Sequence, residues 1–108
     1  MEVNVNRVVI EGRMCAMPQV SSGPAGVVTF ARIASADDYK KRDGEVVERT
    51  NFFTVRARNA IAEILRKAGT GDRIIVDGKL TQEVYRESEN DAQEHVRVIV
   101  DAFLVRLL

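Results

Sequence analysis

The sequence has almost none of the residues that staple or metallate a small protein. It contains one cysteine, Cys15, and one histidine, His95. A single cysteine cannot form an intrachain disulfide, and together the two residues make a poor zinc-ligand set. We therefore expect no metal and no cofactor, and a reducing, cytoplasmic (nucleoid-associated) setting.

The sequence also lacks an excess of charge of either sign, because 16 basic and 16 acidic side chains give a net charge of zero. A nucleic-acid binder needs a local basic stripe rather than a basic average, so this balance excludes few partners. No apolar run approaches the roughly 20 residues of a membrane span. The N-terminus has no basic segment followed by a long apolar stretch, so we expect no secretory signal and no membrane partner.

What the sequence does contain is enough apolar material for a folded core. Hydrophobic residues make up 45% of its 108 positions. This composition excludes wholesale disorder, which combines low hydrophobicity with high net charge. The length supports one domain over residues 1–108, with no internal repeat and no dividing linker.

Alternating and β-branched segments predict five strands, separated by polar loops. The predicted strands are Val3–Gly12, Val27–Ser35, Val46–Arg58, Ile74–Tyr85 and Val96–Val105. The predicted loops are Cys15–Gly26, the charged hairpin loop Asp37–Gly44 with its Asp-Gly turn, and Arg86–Glu94. Gly78 is predicted to be a bend or bulge within its long strand.

One segment has the period of a helix instead. Its apolar stripe is Ile61, Ile64, Leu65 and Ala68. Asn59 is the predicted N-cap, and Gly69 the predicted left-handed residue after the C-terminus. A helix of two to three turns is too short to be stable alone in water, so its stripe must pack on the strands.

The order of strand, strand, strand, helix, strand, strand is that of an OB-fold. A flat sheet of five strands would leave two edges open to unwanted pairing, and closure removes most of that exposure. The predicted fold class is therefore all-β: a five-stranded OB-fold barrel with one short helix between the third and fourth strands.

Alternation assigns side chains to the two faces of the strands. The predicted inward residues of the third and fourth strands are Phe53, Val55, Ala57, Ile74, Val76 and Leu80. The predicted outward residues are Phe52, Thr54, Arg56, Arg58, Asp77, Lys79, Thr81, Glu83 and Tyr85. The fifth strand is predicted to place Val96, Val98, Val100, Ala102 and Leu104 on one face.

Three aromatic residues occupy outward or loop positions, each within a few residues of cations. They are Tyr39, Phe52 and Tyr85. Single-stranded nucleic acid fits such a surface, because its bases stack on rings and its phosphates pair with cations, largely regardless of sequence. The predicted binding residues are Tyr39, Phe52, Tyr85, Arg56, Arg58, Thr54, Lys79, Lys40, Lys41, Arg42 and Arg86.

The chain resembles bacterial single-stranded DNA-binding proteins over nearly all of its length. The matching stretches are Val5–Arg13, Glu48–Val55, Ala62–Lys67, Gly71 and Ile74–Leu80. The resemblance implies an OB-fold, DNA replication, repair or recombination, and assembly as a homotetramer. It places the stacking aromatics on Tyr39, Phe52 and Tyr85 and a further family aromatic on Arg58, which departs from the pattern. In that family the chain usually continues beyond the position of Leu108 into a flexible tail with an acidic tip, which recruits replication and repair proteins.

The first strand is apolar on both faces, which predicts burial by its own barrel and by a second subunit. The predicted interface residues are Val3, Val5, Arg7 and Val9, in a homotetramer or, next, a homodimer. A module that docks replication proteins and binds single-stranded DNA or RNA weakly is the alternative function. We expect no enzyme, because the sequence has no triad spacing, no Walker loop and no metal cluster.

Overall fold

The structure is a computed structural model, and it describes residues 1–108. Eight strands and one helix follow one another along the chain. They are β1 (Val8–Met14), β2 (Gln19–Gly23), β3 (Gly26–Ala36), β4 (Tyr39–Lys40), β5 (Val46–Val47), β6 (Thr50–Arg58), α1 (Asn59–Leu65), β7 (Arg73–Tyr85) and β8 (His95–Leu107). The helix has seven residues, and no helix here is long and apolar enough to cross a membrane.

Five of the strands form a closed ring. The order is β1-β7-β8-β6-β3, and an additional pairing of β1 with β3 at Arg13 and Met14 closes it. Only β6 and β8 run parallel, and β2 pairs with β3 outside the ring. The predicted five-stranded OB-fold barrel with its single short helix is confirmed.

The barrel interior is filled by the inward residues of each strand and by the helix. Ile33, Val55, Ile74 and Val76 are fully buried, and so are Leu65 and Ala68 of the predicted helical stripe. Ile61 and Ile64 are half-buried and pack against the same core. The buried Thr29 hydroxyl donates a hydrogen bond to the Ala62 carbonyl (3.1 Å), which ties the helix to β3 without leaving a polar atom unpaired.

Gly78 lies at a β-bulge, as predicted. Asp77 pairs with Leu104, but Gly78 pairs with Ala102, so Phe103 has no partner on β7. A Cβ on Gly78 would collide with the backbone carbonyl of Asp101, which only a glycine avoids.

The bulge also explains why the predicted face of Leu104 is wrong, and the length of the hairpin explains three further differences. Because the extra residue reverses the alternation, Val105 is buried and Leu104 is 53% exposed, not on the inner face. The β7–β8 hairpin then extends past the end of the barrel, where inward positions meet no core. Leu80, predicted to point into the core, lies two residues past Gly78, where the pairing of β7 with β1 ends, and is 43% exposed. Val96 and Val98, farther along the hairpin, are exposed as well.

Strand boundaries differ from the prediction in three places. The first strand begins at Val8, since no strand of the chain pairs with the residues before it, and Val3 and Val5 are exposed. The predicted loop Cys15–Gly26 contains β2, which forms a hairpin with β3. The predicted third strand is divided into β5 and β6, because β5 turns away to pair with β4 across the charged hairpin.

The helix ends also differ from the prediction. Asn59 is not the N-cap: it has a φ of 54° and is the first helical residue, while Arg58 precedes it without a side-chain capping bond. After Leu65 the chain stays right-handed at Arg66. The predicted left-handed Gly69 has no positive φ, whereas Gly71, two residues later in the turn before β7, has a φ of 86°.

Replacing Gly78 by alanine is expected to destabilise the fold by about 1–3 kcal/mol, because the new methyl group would press on backbone that paired strands hold in place. Urea denaturation measures this change. Gly23→Ala is the matched control, since a Cβ there meets nothing within 4 Å; its free energy of unfolding should stay within about 0.5 kcal/mol of the parent. Equal stability of the two variants would show that the bulge does not depend on glycine.

Candidate nucleic-acid interface

The outer face of β6 carries the residues that alternation assigned to it. Phe52 is 53% exposed and Arg58 is exposed, while Thr54 and Arg56 are half-buried. Tyr39 on β4 and Tyr85 at the end of β7 are also exposed, at 48% and 38%. All three predicted rings are thus accessible from solvent.

Each of these rings has an arginine guanidinium over it. Arg32 lies 4.9 Å from the centroid of Phe52, Arg97 5.5 Å from Tyr85, and Arg49 5.7 Å from Tyr39. These distances are within the cation–π range of about 6 Å. Each of the three predicted rings is therefore paired with a group that can also bind phosphate.

The three pairs have one geometric origin. Phe52 pairs with Ala34, and Arg32 is two residues away on the same strand. Tyr85 pairs with His95, two residues before Arg97. Tyr39 pairs with Val47, two residues before Arg49. Each arginine is therefore the diagonal cross-strand neighbour of its ring, a distance that long side chains span.

Sequence reasoning missed these three arginines. None of them lies beside its ring in the chain, and only the register between strands brings them together. A hairpin prediction with the correct register would have found Arg97 and Arg49. Arg32 needed the pairing of β3 with β6.

The arginines of two ring pairs, Arg32 and Arg97, line one open groove of about 470 Å³, which we call the ring groove. It is lined by Arg32 of β3, Thr54 of β6 and Arg97 of β8, with Phe30, Met17 and Gln19 along its side. Arg32 and Arg97 are the partners of Phe52 and Tyr85, so the groove lies beside both ring pairs, although the two rings do not line it. Residues of β3, β6 and β8, which are far apart in the sequence, therefore line one groove.

Arg56 is engaged by carboxylates rather than free. Its guanidinium donates two hydrogen bonds to Asp101 (2.7 and 2.9 Å) and one to Glu83 (2.8 Å). Glu83 also accepts a hydrogen bond from Arg97 (2.7 Å). The Arg56 side chain is only 13% exposed. We call these four residues the ion-pair ridge, and its two cations and two anions cancel.

The ridge shifts the titration of both its carboxyl groups. Hydrogen bonding from Arg56 holds the pKa of Asp101 below its ordinary value, and Thr81 adds a further hydrogen bond. The Arg97 hydrogen bond, with Arg56 nearby, lowers the pKa of Glu83. Both carboxylates therefore stay ionised at neutral pH and hold their arginines in place.

A second groove of about 440 Å³ lies along β6, β7 and β8. Its lining residues are Arg56, Arg58, Lys79, Thr81, Asp101, Ala102 and Phe103. Arg58 and Lys79 are exposed, and neither forms an ion pair. Two of the predicted binding cations are thus together here, apart from the ring groove.

The remaining predicted cations follow Tyr39 and Tyr85 in the chain. Lys40, Lys41 and Arg42 are exposed at the hairpin tip, where Lys41 pairs with Glu45 (3.6 Å). Arg86 is exposed and pairs with Glu94 (3.1 Å), so its charge is partly neutralised.

His95 lies between the third predicted loop and the fifth predicted strand, and the structure assigns it to the strand. It is the first residue of β8, is half-buried, and its ring lies 5.4 Å from that of Tyr85. Its Nε2 is 3.1 Å from Asp91 Oδ2, and backbone N–H groups, foremost that of Gln93, lower the pKa of Asp91. Asp91 therefore holds the His95 ring, which packs against one side of the Tyr85 ring.

Known proteins resemble this chain across almost its whole length. The Single-strand binding protein family matches residues 5–106. A single-stranded DNA-binding protein of Aquifex aeolicus is 34% identical over 100 residues, covering 90% of this chain and 67% of that protein. The mitochondrial single-stranded DNA-binding protein of Drosophila melanogaster is 32% identical over 109 residues, covering 95% and 72%.

Among solved structures, a complex of the Plasmodium falciparum protein with single-stranded DNA superimposes with a TM-score of 0.87. It covers 100% of this chain and 98% of that one, at 17% identity, so this likeness is one of fold.

Asp101→Asn is expected to lower the free energy of unfolding by about 1–3 kcal/mol at neutral pH, because Arg56 loses a charged partner in a half-buried site. Since the pKa of Asp101 is depressed in the folded state, the carboxylate stabilises the fold above its ordinary pKa of 3.8. That contribution is lost as the pH falls through the lower, folded-state value. Urea denaturation across pH should therefore show the two proteins converging in acid.

The control is Asp37→Asn, which breaks an exposed pair with Arg49. It should cost at most about 1 kcal/mol. A difference between Asp101→Asn and its parent that persisted unchanged below the folded-state pKa would contradict this account of the ridge.

Proposed function

Because this chain belongs to the single-strand binding protein family, single-stranded DNA binding is its function, and we propose that the three arginine-capped rings form the surface that binds it. The observation that carries this proposal is the repeated pairing of an exposed ring with a diagonal arginine at Phe52, Tyr85 and Tyr39. Each pair offers a stacking face and a positive charge at one place on the surface.

The binding mechanism follows from the chemistry of each pair. A base stacks on the open face of the ring, and base–aromatic stacking contributes roughly 1–3 kcal/mol per base. The guanidinium at the same ring reaches a phosphate or extends the stack. Neither contact reads the edge of a base, so the binding is largely independent of sequence.

The zero net charge agrees with this mechanism. The ion-pair ridge contains as many carboxylates as arginines. Because Arg56 is bonded to Asp101 and Glu83, its charge adds little to the attraction of DNA phosphates. The attraction comes from cations without an ion-pair partner, among them Arg32 in the ring groove and Lys40 at the hairpin. Log affinity should then fall with log salt by about 0.7 per neutralised phosphate.

The activity that this surface supports is binding, without chemical change to the DNA. We propose a non-catalytic role in DNA replication, repair or recombination, in which the protein covers strands exposed by those processes. Stacking is indifferent to the sugar, so comparison of oligothymidylate with oligouridylate decides between DNA and RNA as the preferred ligand.

We further propose that the protein self-associates through β1, as a homotetramer or a homodimer. Val8–Gly12 pair with β7 on one edge, but on the other edge only Arg13 and Met14 pair with β3. This leaves an unpaired strand edge, with Val9 58% exposed beside it. Val3 and Val5 are exposed just before it, and Arg7 forms an ion pair with Asp77 that fixes the entry of the strand.

Phe52→Ala and Tyr85→Ala should each weaken binding to a labelled oligothymidylate by about 1–3 kcal/mol, because each removes one stacking ring. Fluorescence anisotropy at low salt measures the affinity. Phe52→Tyr is the matched control, since it keeps an aromatic face, and it should bind as the parent does. Two alanine variants that bind as tightly as the parent would exclude these rings from the binding surface.

Val9→Lys should reduce the mass measured by light scattering, because a charge placed beside the free β1 edge opposes its pairing with another copy. The parent should show two or four times the mass of one chain. Val46→Lys, at a residue 61% exposed on the charged hairpin, should leave the mass unchanged. A parent protein that runs as a monomer would refute association through β1.

A further inference from the structure

The second groove continues the line of the ring groove. Along β6, Thr54 lines the ring groove, and Arg56 and Arg58 line the second. Along the parallel β8, Arg97 lines the first, and Asp101 and Phe103 line the second. The ion-pair ridge therefore lies between the two grooves, and Thr54 and Arg58 are about 13 Å apart along the strand.

Phe103 is exposed in this groove because of the bulge. Without a partner on β7, it projects from β8 and is 56% exposed. It is the only phenylalanine besides Phe52 with most of its side chain in solvent. The bulge at Gly78 therefore makes Phe103 a fourth accessible ring.

The charge around Phe103 favours an anionic occupant. Arg58 and Lys79 have no carboxylate partner, and the single carboxylate of the groove, Asp101, is bonded to Arg56. Thr81 adds a hydroxyl. The groove thus offers an aromatic face and two free cations, and its volume is within the range of small-ligand sites.

We propose that Phe103 is a stacking residue, and that the second groove binds the nucleotides that continue the DNA strand beyond the ring groove. Arg58 and Lys79 bind the phosphates of that segment. The ion-pair ridge, whose charges cancel, separates the two grooves along the DNA strand. This inference rests on the proposed function, because it takes single-stranded DNA as the occupant.

Tryptophan at position 103 tests the contact directly, since the chain contains no other tryptophan. Phe103→Trp fluorescence should be quenched when an oligothymidylate of about 16 nucleotides, the upper end of an OB-fold site, is added. Leu80→Trp is the matched control, because Leu80 lies between Lys79 and Thr81 in β7 but does not line the groove. Its fluorescence should stay nearly constant.

Phe103→Ala should weaken binding of the same strand roughly 5- to 150-fold, the change that corresponds to one lost stacked base. Phe103→Trp should bind as the parent does, and both variants should keep the oligomeric mass and the urea midpoint of the parent.

Three results would overturn the inference: unchanged affinity of Phe103→Ala, unquenched Phe103→Trp, or a lower mass of Phe103→Ala, which would make Phe103 a contact between copies of the chain. A parent protein that fails to bind DNA would overturn the proposed function as well, so the two failures are distinguishable.

Discussion

The closed sheet imposes the constraint on which the rest of this protein depends. Each strand has two faces, and the inner face is occupied by core residues such as Ile33, Val55 and Ile74. Every second residue must therefore point outward, whatever its chemistry. The outward positions can carry aromatic rings and arginines because they take no part in packing the core.

The register between strands then decides what the outward residues do. It places an arginine diagonally across from each exposed ring and Arg56 opposite Asp101. The first arrangement places a guanidinium over each ring, and Arg32 at Phe52 has no carboxylate partner. The second neutralises Arg56 within the sheet. Two arginines of similar sequence context, Arg56 and Arg58, thus have different roles, one structural and one available to a ligand.

Local patterns were enough to predict much of this. Alternation placed Phe52 outside and Val55 inside, the helical period found Leu65 and Ala68, and the lone glycine of a long strand identified the bulge at Gly78. These features depend on neighbours in the chain, so the sequence alone contains the information that specifies them.

The features that escaped prediction depend on distant partners. Arg56 and Asp101 are 45 residues apart, and nothing near either residue indicates their pairing. The exposure of Leu80 follows from where the barrel ends, and the exposure of Phe103 follows from a one-residue shift in β8. Strand register is the common physical reason, because a single slip reverses every side chain beyond it.

The most direct test of the binding surface is a backbone amide NMR titration with oligothymidylate. The account predicts that the largest chemical-shift changes fall around Tyr39, Phe52 and Tyr85 and their partner arginines. The helix at Asn59–Leu65 should change little. Large changes at the helix, with the three rings unaffected, would contradict the account.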